Sequence, residues 1–163
     1  MTNDPLQELR DVEELKRLRA QYVRLVDTKQ WDAWAALLTD DFRLESDAGV
    51  HEGRDAAVAM VSAALDAGST VHHCFTPEIE VTGPSTATGI WAMEDIVRIE
   101  LDGAPITFHG YGHYHDDYVR TRAGASNRVS RPEFASILST RGSRTSARSR
   151  RPRRYRPRCT SLR

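Results

Sequence analysis

Three long extended stretches in the second half of the chain leave little choice of fold. Residues 71–82, 86–101 and 106–121 read as strands, separated only by Gly83-Pro84 and Asp102-Gly103. Both dipeptides are turn signals, and Asp-Gly favours the two-residue hairpin that joins antiparallel neighbours. Parallel pairing would need long crossovers that the sequence does not provide here. Pro77 inside the first stretch suggests a sheet edge or a bulge. A sheet of this kind has to bury one face, so the first half of the chain must supply the cover.

The first half has the periodicity of helices. In residues 6–28, Leu25, Leu18, Tyr22, Leu15, Val26, Val12 and Val23 fill one arc, interrupted by Arg19. Asp27 borders that arc near the helix end, where position alone favours solvent over a cavity by about two to one. Residues 31–38 read as a short second helix, with Trp31, Trp34, Ala35 and Leu38 at helical spacing. Residues 42–45 read as a short strand, 47–53 as a loop, and 55–66 as a third helix stopped by Gly68. The expected class is therefore α+β: a curved antiparallel sheet with helices against one face.

The stretch Thr107 to Tyr118 carries the most chemistry. In a strand, side chains alternate between faces. His109, Tyr111, His113 and His115 share one face, and Phe108, Gly110, Gly112, Tyr114 and Tyr118 share the other. The histidine row reads as the floor of a polar pocket, with a His-rich outer face as the alternative. Trp91, Met93 and Asp95 share a face of the preceding strand. In the adjacent pair His72-His73, only one ring can point inward.

The net charge of zero hides two unlike segments. Residues 1–121 hold 10 Lys and Arg against 22 Asp and Glu, a balance of −12. Residues 122–163 hold 13 Arg against one acid, Glu133, a balance of +12. Cys74 and Cys159 form no close-spaced pair. No leader is apparent, nor an apolar run near the roughly 20 residues that span a bilayer. A reducing cytoplasmic setting with no membrane partner is the expectation.

Three segments in this order are similar to the SnoaL-like group of the nuclear transport factor two-like superfamily. They are Tyr22-Val-Arg-Leu-Val-Asp27, Val71-His72-His-Cys-Phe-Thr-Pro-Glu-Ile-Glu-Val81, and Gly112-His-Tyr-His-Asp-Asp-Tyr118. The resemblance implies a cone-shaped α+β barrel over residues 1–121. It includes scytalone dehydratase, a hexachlorocyclohexane dehydrochlorinase, bile-acid 7α-dehydratase and ketosteroid isomerase. By that resemblance Asp27 and His72 form a catalytic pair and Tyr22 binds substrate. His109 and His113 supply further pocket groups, and Asp95 matches an acidic pocket residue. His73 and His115 take no role from it.

The chemistry suits these residue types. Abstracting a proton beside a carbonyl needs a base that titrates near neutrality, and a carboxylate on the other ring nitrogen fixes the imidazole tautomer. Trp31, Trp34, Trp91, Met93 and Phe75 would line a pocket for a flat hydrophobic molecule. The implied function is a cofactor-independent lyase or isomerase, dehydratase-like, acting on a small polyketide-, steroid- or aromatic-type compound. The partners are that small molecule and further copies of the chain, as a dimer or trimer. A non-catalytic ligand carrier, or an assembly module like an oxygenase small subunit, is the alternative on the same fold. A metal held by His109, His113 and His115 is a third reading. The acid expected downstream of a cupin-like His-x-His is absent from Asp116 to Arg120, so no metal is assigned.

The family pattern ends with one more strand, opened by Gly-Trp-Arg. Here that strand is missing or replaced, because residues 122–163 are rich in Arg, Ser and Pro with little apolar periodicity. Such a segment reads as a disordered basic tail. One account is an arm for nucleic acid or an acidic partner, and nucleic acid is the weaker assignment. The other is a shifted reading frame. With freely chosen codons, residues 123–137 read two bases on give Trp-Arg and then an alternating strand-like run. The gene sequence near Arg122 decides between them.

Overall fold

The computed structural model describes residues 4–46, 49–121 and 124–140, the last stretch as backbone only. Helix α1 (Pro5–Asp27) begins where the sequence provides a cap. Asp4 accepts a hydrogen bond from the Leu6 N–H at 3.1 Å, and Pro5 sits in the first turn, where its missing N–H costs nothing. Thr28 closes the other end, its hydroxyl donating to the Arg24 carbonyl at 2.7 Å. Then follow α2 (Trp31–Ala35), β1 (Leu38–Ser46), β2 (Gly49–Glu52), α3 (Arg54–Leu65), β3 (Ser69–Gly83), β4 (Thr86–Leu101), β5 (Ala104–Thr121) and β6 (Gly124–Thr140).

Six strands form one sheet in the order β2-β1-β6-β5-β4-β3. All its pairs are antiparallel except β1 with β6. The result is an unclosed α+β cone with helices against the inner face. The β4–β5 hairpin turns on Asp102 (φ 53°) and Gly103 (φ 75°), the two left-handed residues that this turn requires. Pro77 lies in an edge strand, beside a register shift between Cys74 and Pro77.

Differences from the sequence reading have local causes. The short strand expected at 42–45 starts at Leu38, so the second helix ends at Ala35. Part of the 47–53 loop is strand β2, which gains a ladder from β1. The place of the last strand is taken by residues 124–140, hydrogen-bonded between β5 and β1. The sheet therefore runs past the expected domain limit at residue 121, and the tail from 122 includes a strand. The Arg-rich residues 141–163 lie outside the described residues.

Three apolar groups fill the interior. Tyr22, Leu25, Val26, Trp34, Phe42 and Leu44 form the largest, under α3. Leu15, Leu18, Ala87 and Tyr118 join α1 to the far end of the sheet. Trp91, Met93 and Tyr114 lie between them. Trp34 and Phe42 are fully buried, so truncating either would cost about 3–5 kcal/mol.

Candidate active site

The inner surface of the sheet is fixed by which residues α1 covers. Trp91, Met93, Tyr114 and Tyr118 are buried, while Tyr111 is 42% exposed. The aromatic and glycine face of β5 is thus the inner one. His109, Tyr111, His113 and His115 point the other way, so the histidine row does not form the pocket floor. The reason is packing: an aromatic face can be sealed against Leu15, Leu18 and Tyr22, whereas four polar rings would need buried partners.

Gly110 supports this arrangement. Asp95 lies opposite it in the ladder, and a Cβ on Gly110 would collide with the Asp95 carboxylate. The glycine leaves room for an acid on the inner face, and its backbone helps hold that acid.

A cavity of about 180 Å³ opens between α1, α3 and the sheet. Its apolar wall includes Val26, Trp34, Leu44, Met60 and Val61, and its polar groups include Tyr22, His72, Asp95 and Tyr114. His72 sits near the start of β3, and its side chain is 9% exposed, against 53% for His73. Alternation along the strand makes that choice, sending the second ring outward.

His72 Nδ1 lies 2.6 Å from Asp27 Oδ1, and the His72 backbone N–H donates to Asp27 Oδ2 at 2.9 Å. Thr70 donates to Asp27 Oδ1 at 2.8 Å. Asp27 therefore faces the interior, whereas position alone favoured solvent. Burial pushes its pKa up, but the hydrogen bonds from His72 and Thr70 together with the His72 charge outweigh burial and hold it below the ordinary value. On the other side of the ring, His72 Nε2 is 4.0 Å from Asp95 Oδ2. Burial raises the Asp95 pKa, opposed by His72 and by the Gly110 backbone. One ring nitrogen is thus tied to a stable anion. The other points toward a carboxyl group that holds a proton more readily.

The remaining expected site residues fall elsewhere. His109 Nε2 pairs with Glu94 at 2.6 Å on the outer face, with Tyr111 Oη 3.1 Å from His109 Nδ1. His113 is exposed beside His115, ring centres 6.5 Å apart. Trp31 bonds Asp66 at 2.9 Å and packs on Trp34, away from the cavity lining. Trp91 donates to the Tyr118 hydroxyl at 2.8 Å, and with Met93 it backs Tyr114 rather than lining the cavity. Phe75 is 53% exposed. Among the described residues no three His, Cys, Asp or Glu side chains are grouped to hold a metal ion. The metal reading of His109, His113 and His115 therefore lacks its ligand set.

Sequence reasoning missed Tyr114 as a lining residue, and Arg19 behind it. Arg19 is the polar interruption of the α1 arc. It is 1% exposed, with Nη1 3.1 Å from the buried Asp116 carboxylate. Burial works against its charge, but Asp116 together with Tyr114, Cys74 and Tyr118 outweighs burial and raises its pKa. Its guanidinium lies 3.6 Å from the Tyr114 ring centre and 4.5 Å from that of Tyr22. An Arg amid an apolar arc was the available signal.

The profile of the SnoaL-like domain matches residues 7–126. The chain belongs to the SnoaL-like family. Among solved structures, this SnoaL-like chain is similar to a protein of unknown function from Mycobacterium tuberculosis, with 22% identity, a TM-score of 0.68, and 83% and 78% of the two chains covered. A candidate scytalone dehydratase from Novosphingobium aromaticivorans gives 20% identity and a TM-score of 0.68 over 90% and 95% of the chains. The hexachlorocyclohexane dehydrochlorinase LinA-type3 from Novosphingobium barchaimii gives 14% and 0.73 over 88% and 100%. At these identities the likeness is one of fold. No helix among the described residues is long and apolar enough to cross a membrane.

Proposed function

We propose that this SnoaL-like protein is a cofactor-independent lyase of the dehydratase type, using His72 as base and Asp27 as its partner. The observation that carries this reading is the placement of His72, with Nδ1 2.6 Å from Asp27 Oδ1 and its ring at an apolar cavity. A carboxylate on Nδ1 leaves the lone pair on Nε2, which can take a proton from a carbon beside an activating group. The imidazolium that forms is stabilised by Asp27. The leaving hydroxyl or halide departs toward Asp95, Tyr22 or Tyr114. A protonated Asp95 or a phenol can donate to it or to a developing oxyanion.

The cavity sets the substrate size. An engineered apolar cavity of about 150 Å³ holds one benzene ring. The space here, about 180 Å³, suits one six-membered ring with a small polar substituent, and a larger body would project through the mouth. Two structural relatives are described as a hexachlorocyclohexane dehydrochlorinase and a candidate scytalone dehydratase, which supports elimination as the reaction class. The exposed Val71, Phe75 and Tyr111 of the outer face support self-association as a dimer or trimer, checked by sedimentation.

The test is a screen of cyclic β-hydroxy ketones and halogenated rings for loss of water or halide, in wild type, His72→Ala and Asp27→Asn. Turnover that drops about 10²–10⁴-fold in both variants supports the assignment. Full activity in His72→Ala overturns it.

A further inference from the structure

The turn that leaves α1 brings in a charge that this chemistry does not use. Lys29 has a left-handed backbone (φ 58°), which non-glycine residues seldom adopt. Its amide still bonds the Val26 carbonyl at 3.2 Å, so the chain folds back over the helix end. The side chain consequently reaches the start of β3, where Nζ lies 2.9 Å from Thr70 Oγ1. Thr70 Oγ1 is 2.8 Å from Asp27 Oδ1, which is 2.6 Å from His72 Nδ1. Four groups stand in line from the surface to the cavity.

Donor and acceptor rules fix the direction of every bond in that line. An ammonium only donates, an ionised carboxylate only accepts, and a hydroxyl has one proton. With Lys29 charged, Thr70 must accept from it, so its single proton must go to Asp27. Thr70 is 7% exposed, which leaves water little room to substitute. We propose that Lys29 is a positioning residue: it locks the Thr70 hydroxyl as a donor to Asp27 and thereby sets the proton affinity of the Asp27–His72 pair. The bearing of this on catalysis rests on the lyase reading, but the lock itself does not.

The sign follows from charge. A donor on Oδ1 and a cation behind it both make Asp27 a weaker base, so Asp27 stabilises the imidazolium less. Removing either should raise the pKa of His72. The other groups near the line are accounted for. Burial lowers the Lys29 pKa from its ordinary value, opposed by Asp27 and Asp66, which both face it and favour its charge. The Trp31 ring centre is 5.7 Å from Nζ. Asp95 faces His72 from β4, and Tyr22 from α1 and Tyr114 from β5 share its cavity. None of these side chains is altered by a substitution at Lys29 or Thr70.

The experiment is an NMR titration of the His72 ring in the full chain, its signal assigned by its loss in His72→Asn. Wild type is compared with Lys29→Met, Lys29→Arg, Thr70→Val and the Lys29→Met/Thr70→Val double variant. Lys29→Met and Thr70→Val should each raise the His72 pKa by about half a unit or more. Lys29→Arg should titrate like wild type. The double variant should shift less than the sum, because without the hydroxyl the lysine has nothing to orient. An unchanged titration in Lys29→Met overturns the proposal. So does full additivity, which would mean a through-space field only. The readout needs no substrate. A fully active His72→Ala would sink the lyase reading and leave this result standing.

Discussion

The two faces of the β3–β5 sheet carry the same chemical pair, an imidazole 2.6 Å from a carboxylate, in two environments. Inside, His72 and Asp27 are 9% and 21% exposed, and a second acid and two phenols line the same cavity as His72. Outside, His109 and Glu94 are 34% and 27% exposed, with Tyr111 and His73 alongside. The outer trio even has the order phenol, imidazole, carboxylate. None of the three lines the apolar cavity beside His72, where exclusion of water strengthens charges. Residue types and distances therefore do not distinguish the two pairs. Enclosure does.

The sharpest way to break this comparison is turnover. Asp27→Asn and His72→Ala should lower kcat/KM about 10³-fold, while Glu94→Gln and His109→Ala should change it less than about threefold. A large loss from the outer variants would show that the face matters less than the pair. Burial can next be compared through ion pairs. Arg19→Met strands the buried Asp116 and should cost about 3–5 kcal/mol in urea unfolding. Breaking the more exposed Arg43–Glu45 pair, with side chains 40% and 33% exposed, should cost about 0.2–1 kcal/mol. Gly110→Ala tests the inner face by crowding Asp95 and should cost about 1–3 kcal/mol.

The smallest effect is one of pH, and it separates two acids on either side of one ring. Asp27 is held below its ordinary pKa, so its contribution to stability is present above about pH 4 and fades as pH falls through the native value. Asp95 is raised, so its contribution is present below about pH 4 and is lost as pH rises through the native value. Melting temperatures against pH should diverge in opposite senses. Asp27→Asn should lose to wild type at neutral pH and close the gap in acid. Asp95→Asn should gain on wild type as pH rises. Parallel curves would mean that the two carboxyls share one environment.

Much of this was legible in the sequence. The turns at Gly83-Pro84 and Asp102-Gly103 dictated the meander. The spacing of Leu15, Leu18, Tyr22 and Leu25 dictated the helix that covers it. The resemblance paired Asp27 with His72, residues 45 positions apart that the fold brings to hydrogen-bonding distance. The strand at 124–140 was not legible, because its residues lack apolar alternation and its place depends on the ladders offered by β5 and β1.

Alternation along a strand sorts side chains into two sets but carries no sign. The residues of β5 separated His109, Tyr111, His113 and His115 from Gly110, Tyr114 and Tyr118. Only the packing of α1 decided which set met the cavity, since a face is inner by virtue of what covers it. The Lys29–Thr70–Asp27 line was likewise invisible, because it joins a helix end to a strand 41 positions on through a left-handed turn. The chain thus specified its elements and its reactive residues locally. Their enclosure, which separates a buried imidazole–carboxylate pair from a wet one, arose from contacts between distant segments.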